Sequence, residues 1–220
     1  MKLLKKKKIL VIVTGGIACY KALDIIRKLQ EQEVNVECIL TKNACEFVNV
    51  LSFESLLGKK VHLNLFSLDQ EKNMSHIKLA KECDAILIVP CTANFLAKIT
   101  NGIADDLATN VILASNNKKF IAPAMNSVMW NNSVVRKNIK YAKKIGFLIL
   151  KPKTGKLACG TKGSGKLMDV DLIIDEISYS FFDYKLSGIK VLVTTGPSIE
   201  KIDPIRYISN FSSGIQGYEI

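Results

Sequence analysis

The octapeptide "PAMNSVMW" at positions 123–130 sets Asn126 between two methionines, just before the chain's single tryptophan and just after the strand-like "KKFIA". Core packing gives no reason for an amide beside Met125, Met129 and Trp130. An amide there suits a site that must hydrogen-bond something planar or anionic. Other turns carry comparable chemistry. In "VTGGIACYKAL", Gly15 and Gly16 end an apolar run and open a helical one. That arrangement lets backbone approach an anion at a helix N-terminus, although the pair serves equally well as a plain tight turn. The spacing is neither G-x-G-x-x-G nor G-x-x-x-x-G-K-[ST], which argues against dinucleotide and P-loop sites. The second apolar run ends in "ILTKNA", where a NAD-binding fold would favour an acid for the ribose. Thr41 and Lys42 offer a hydroxyl and a cation instead, which suit a phosphate.

In "VPCTANFLAKITNGIADDL", Thr92 and Asn94 stand at a helix start, either as an N-cap or as hydrogen-bonding groups for a ligand. Asp105 and Asp106 follow a glycine break and read as solvated. His76, in "MSHIKLAK", lies near a helix start, where a surface role is the ordinary one; His62 sits in strand-like alternation and receives no role. Cys159 differs from the other cysteines. It lies in the Gly-rich "LACGTKGSGK" with Lys156, Lys162 and Lys166 nearby. Neighbouring cations lower a thiol pKa, so a thiol on a mobile basic loop could deliver a proton from a lid. An incidental surface cysteine is the alternative.

These turns need a scaffold. Strands are expected at Ile9–Val13, Val34–Leu40, Ala85–Val89, Phe120–Ala122 and Phe147–Leu150, with a weaker one at Val61–Phe66. Nearly continuous apolar runs such as "AILIV" suit a parallel sheet covered on both faces. Between them, "ACYKALDIIRKLQEQ", "NFLAKITNGIADDLATNVILAS" and "SVVRKNIKYAKKIG" carry apolar residues at helical spacing. The alternation predicts a doubly wound (Rossmann-like) α/β fold, with ligands outside the carboxyl ends of the strands. From about Lys151 the sequence turns Gly- and Lys-rich and loop-like. Near Gly188, "GIKVLVTTGPS" restarts the strand-then-glycine pattern, predicting a domain at 1–187 and the opening of a second α/β domain at 188–220. A stretch of that length cannot bury a core of its own.

Composition narrows the function classes. The net charge is +11 in 220 residues, with 48% hydrophobic and 7% aromatic residues. The lysines are scattered and form no stripe interleaved with aromatics, which argues against nucleic acid. No run approaches the about 20 apolar residues of a membrane span. Six cysteines without C-x-x-C spacing predict free thiols in a reducing cytoplasm.

Read in order, "TGGIACYK", "SHI", "TANFLAKITNGIADDL", "PAMNSVMW", "LACG" with "GSGK", and "DPIRYISNFSSG" resemble the homo-oligomeric flavin-containing cysteine decarboxylases. Within them, the resemblance is to the bifunctional phosphopantothenoylcysteine decarboxylase/phosphopantothenate–cysteine ligases. It covers the whole chain. It implies an FMN-dependent carboxy-lyase of coenzyme A biosynthesis, which decarboxylates 4'-phosphopantothenoylcysteine and reduces the product to 4'-phosphopantetheine. It implies that Asn126 binds the substrate carboxylate, that His76 is the active-site histidine, often supplied across a subunit interface, and that Cys159 donates the proton. Gly15, Gly16, Ile17, Thr41, Thr92, Ala93, Asn94 and Ala124 fall where relatives contact FMN. No metal is implied for this half; CTP and Mg2+ belong to the ligase part, in which Asn210 matches a residue handling the acyl-cytidylate. Ligation is not expected of this chain alone. Trimers, or dodecamers built from them, are the implied assemblies. Phe95 and Thr161 depart from the family, which commonly has threonine and an acid there. Competing readings are a flavin decarboxylase of another cysteine substrate, a non-catalytic flavin-binding regulatory subunit, and a generic NAD-binding α/β protein.

Overall fold

Alternate residues of the first strand feed two separate cores. The computed structural model describes residues 3–64, 75–158, 160–182 and 188–219. In β1 (Lys8–Val13), Ile9, Val11 and Val13 pack on one side of a sheet and Leu10 and Ile12 on the other. This is the period-2 consequence of a strand covered on both faces. A short 3-10 turn (Ile17–Tyr20) leads into α1 (Lys21–Glu31), whose Ala22, Ile25, Ile26 and Leu29 recur at helical spacing and are buried. Next come β2 (Asn35–Leu40), α2 (Lys42–Cys45), α3 (Val50–Leu57) and α4 (Ser75–Glu82). All residues of β3 (Ala85–Cys91) are buried. Then follow α5 (Ala93–Thr100), α6 (Leu107–Ala114), β4 (Lys118–Pro123), α7 (Ser127–Asn131), α8 (Ser133–Lys144) and β5 (Phe147–Ile149).

The five strands form one parallel sheet in the order β2-β1-β3-β4-β5. That order is the flavodoxin-like version of the doubly wound fold, with its switch point between β1 and β3. The buried Thr14 fastens this point: its hydroxyl donates to Pro90 O at 2.6 Å and accepts from Thr92 N–H at 3.3 Å. The five main expected strands are realised as β1 to β5. The weaker one at 61–66 is reduced to a bridge between Ile39 and His62, and its last two residues lie outside the described ones. The helical pattern across 94–115 is two helices, because Gly102 adopts φ 70° and a loop separates α5 from α6.

The segment after Lys151, expected to be loop, is instead a hairpin of β6 (Lys153–Lys156) and β7 (Lys162–Lys166), followed by α9 (Val170–Ser180). Glycine and lysine hide a strand from a reading based on apolar alternation, since neither supplies the buried face. The chain divides into two compact units, Met1–Phe182 and Asp183–Ile220. In the second unit the expected strand at "KVLVT" does not form, and Leu192 there is 90% exposed. The unit's hairpin pairs β8 (Ile199–Lys201) with β9 (Tyr207–Ser209), and Asp203 closes its turn by accepting from the N–H groups of Ile205 and Arg206.

Candidate functional site

The turns after β1, β2, β3 and β4 converge on one cavity of about 1030 Å³, with the β6–β7 hairpin along one side. Gly15, Gly16 and Ile17 contribute from the first turn, Thr41 from the second, Thr92, Ala93 and Asn94 from the third, and Ala124 with Asn126 from the fourth. The structure thus brings together every sequence-predicted cofactor contact and the predicted carboxylate-binding amide. His76 does not line the cavity; it is half-buried on α4. Cys159 lies outside the described residues. Of its described neighbours, Leu157 N–H donates to Thr161 O and Gly160 N–H to Leu157 O, both at 2.9 Å.

Each turn presents its groups differently. At the first, Gly16 is the N-cap residue and makes no side-chain bond to the helix start. Its φ of −171° is ordinary extended backbone, so it is the missing side chain that matters: the helix opening stays accessible. Gly15 is constrained by packing, because a Cβ there would lie 2.4 Å from Asn43 Cβ and 2.6 Å from its backbone carbon and oxygen. At the second and third turns, Thr41 and Thr92 cap α2 and α5 by accepting from Ala44 N–H and Phe95 N–H. The buried Phe95 lines the cavity and belongs to the core behind it.

Asn126 is the most informative group. Its Oδ1 accepts from Met129 N–H at 2.8 Å and so caps α7. Its Nδ2 donors have no partner among the described residues and belong to a side chain that lines the cavity. The cap uses the acceptor end of the amide and leaves the donor end for an anion. Elsewhere on the lining, Lys21, Lys42, Lys156 and Lys166 face the same cavity without an ion pair among the described residues. Lys98 is neutralised by Asp105, which it meets at 2.8 and 2.7 Å, and this holds the Asp105 carboxyl below its ordinary pKa. Asp106 caps α6 through a capping box with Thr109. The acid pair expected to be solvated is therefore structural in part. Sequence reasoning passed over Thr14, Lys98 and Ser127; for Thr14 the available signal was a threonine closing a fully apolar strand.

The donor set fits a flavin: an uncapped helix start for a phosphate, hydroxyl and amide groups at the next turns, and a cavity large enough for a tricyclic ring and a substrate. Residues 2–181 match the family described as Flavoprotein, and the chain belongs to that family. Residues 186–220 match the DNA/pantothenate metabolism flavoprotein C-terminal domain. The chain is similar to the coenzyme A biosynthesis bifunctional protein CoaBC of Haemophilus influenzae, with 42% identity over 219 residues, covering 99% of this chain and 54% of the relative. It is 38% identical to the Bacillus subtilis CoaBC over 221 residues, covering 99% and 54%. The chain therefore spans about half the length of the curated relatives it matches.

Among solved structures, a Cys-to-Ser PPC decarboxylase complexed with pantothenoylaminoethenethiol superposes with TM-score 0.71 at 28% identity, covering 80% of this chain and 99% of that one. The FMN binding protein AtHal3 gives 0.67 at 29%, covering 80% and 97%. No helix among the described residues is long and apolar enough to cross a membrane.

Proposed function

We propose that this chain binds FMN and decarboxylates 4'-phosphopantothenoylcysteine, yielding 4'-phosphopantetheine on the way to coenzyme A, in the cytoplasm. The observation that carries the reading is Asn126: an amide whose acceptor caps α7 and whose donors remain for a carboxylate in the flavin cavity. The similarity to CoaBC proteins and to a PPC decarboxylase supports the substrate, and the similarity to AtHal3 supports FMN as the flavin. When bound, the flavin supplies a two-electron acceptor for the substrate thiol and returns those electrons after carbon dioxide has left.

The chain's residues handle the remaining tasks. Asn126 Nδ2 holds the carboxylate by hydrogen bonds without a compensating charge. A lysine in that place would stabilise the ground-state anion, whose charge must disperse as the C–C bond breaks. Gly15, Gly16 and Ile17 receive the FMN phosphate at the open helix start, and Thr41, Thr92, Ala93, Asn94 and Ala124 flank the cofactor. Met125 and Met129 shape the substrate side of the cavity. Cys159 Sγ delivers the proton that completes reduction. His76 acts from a neighbouring copy in a trimer, or in a dodecamer built from trimers. Residues 1–187 form the decarboxylase domain and 188–220 open a ligase-type domain.

The test is anaerobic incubation of the flavin-loaded protein with 4'-phosphopantothenoylcysteine, with products followed by mass spectrometry. Loss of carbon dioxide to give 4'-phosphopantetheine is the expected result. A flavin-loaded protein that leaves this substrate intact overturns the proposal.

A further inference from the structure

The β6–β7 hairpin rests on the Asn126 segment through a face made of glycine. Gly163 and Gly165 of β7 both face residues 125–127. Across the hairpin Thr154 pairs with Ser164 but Lys153 pairs with Lys166, so Gly165 is an extra, bulged residue. Its φ of +115° is open to glycine and strained for other residues. The bulge turns its carbonyl out of the ladder, and that oxygen accepts from Met125 N–H at 3.0 Å. A Cβ on Gly165 would lie 2.3 Å from Met125 O, and one on Gly163 would lie 2.1 Å from Ser127 Oγ and 2.9 Å from Ser127 Cβ. The Ser127 hydroxyl is buried at this contact and has no hydrogen-bond partner among the described residues.

We infer that Gly163 and Gly165 are positioning residues: their bare backbone lets the hairpin lie directly on Met125–Ser127, and that contact fixes where Asn126 presents its amide. The hairpin and the amide form one braced unit. A side chain at Gly163 must displace the Ser127 hydroxyl, and it still meets Ser127 Cβ at 2.9 Å once that hydroxyl has turned away, so the strand and the Asn126 segment must part. A shift of about 1 Å in a positioning group can cost about 10²-fold in rate. This inference rests on the decarboxylase reading for its kinetic readout and on a hydrogen bond for its independent one.

The experiment compares Gly163→Ala with the double variant Gly163→Ala/Ser127→Gly, which removes both atoms that the new methyl would strike. For Gly163→Ala, kcat/KM for 4'-phosphopantothenoylcysteine is expected to fall about 10²-fold with flavin absorbance retained. The double variant is expected to recover most of the loss. Hydrogen exchange of the peptide containing Met125 is measured on the same flavin-loaded proteins. It should speed up in Gly163→Ala and slow again in the double variant, because the Met125 N–H loses and regains Gly165 O. If wild-type protein proves inactive on this substrate, the exchange pattern alone decides the inference. If Gly163→Ala does not fold, a folded double variant with protected Met125 supports it. Unchanged exchange and activity in Gly163→Ala overturn it, as does a double variant as impaired as Gly163→Ala alone.

Discussion

The turn after β1 and the turn after β4 stand at the same end of one sheet and treat their helices in opposite ways. After β1, Gly16 leaves the helix opening without a side-chain cap. After β4, Asn126 supplies the cap and still lines the cavity. The first turn offers backbone donors and suits a cofactor phosphate, which carries enough charge to settle there unaided. The second satisfies its own helix and offers an oriented, uncharged amide, which suits a carboxylate that must later disperse its charge. The same strand-to-helix junction is thus suited to two anions by different means.

The largest break in this comparison should come from Gly15→Val. The new side chain would strike Asn43 backbone as well as its Cβ, forcing the first two turns apart. We expect the purified protein to lose its flavin entirely, read from its visible spectrum, while Asn126 and its helix stay intact. A yellow Gly15→Val protein would show that the first turn is not the cofactor's anchor.

Thr14→Val sharpens the comparison with a smaller effect. It keeps shape but removes the hydroxyl that bonds Pro90 O and Thr92 N–H at the buried switch point. Leaving those groups unpaired should cost about 1–3 kcal/mol in denaturant unfolding. A loss below about 0.5 kcal/mol, the usual scale of a substitution away from such features, would mean that the junction is held by packing.

The smallest expected effect lies away from both turns and serves as a control. His62 and Lys59 hydrogen-bond Glu37, and lower its pKa from 4.5 to about 2. Because the folded-state value is depressed, the stabilisation is fully present above about pH 4.5 and is lost as pH falls through about 2. Glu37→Gln should be less stable than wild type at neutral pH. The two should converge on acidification, followed by urea unfolding across that range, with flavin retention at pH 7 unchanged. A difference that stays constant with pH would remove the ionic explanation.

Much of this arrangement was legible in the residues. β-branched runs marked the five parallel strands, and the chemistry-bearing turns followed from where those strands ended. Asn126 stood out because an amide among Met125, Met129 and Trp130 has no packing rationale. What escaped was structure carried by absence. Gly155, Gly163 and Gly165 build a hairpin with no apolar alternation to betray it, and the closeness of Gly163 to Ser127 and of Gly165 to Met125 depends on a missing Cβ. The Lys98–Asp105 pair escaped because the partners lie on either side of a helix break. The apolar run at 190–194 misled for the opposite reason: β-propensity without a neighbouring strand makes no ladder.

The most direct test of the Asn126 assignment is anaerobic rapid mixing of flavin-loaded Asn126→Asp protein with 4'-phosphopantothenoylcysteine, beside wild type. Aspartate caps a helix as well as asparagine does, so the fold and flavin should persist. It has no amide donors, however, and places a negative charge before the substrate carboxylate. Carbon dioxide release and flavin bleaching slowed by about 10²-fold or more is the expected result, the scale of losing one placed donor. Wild-type rates in a folded, yellow Asn126→Asp protein would contradict it and reduce Asn126 to a helix cap.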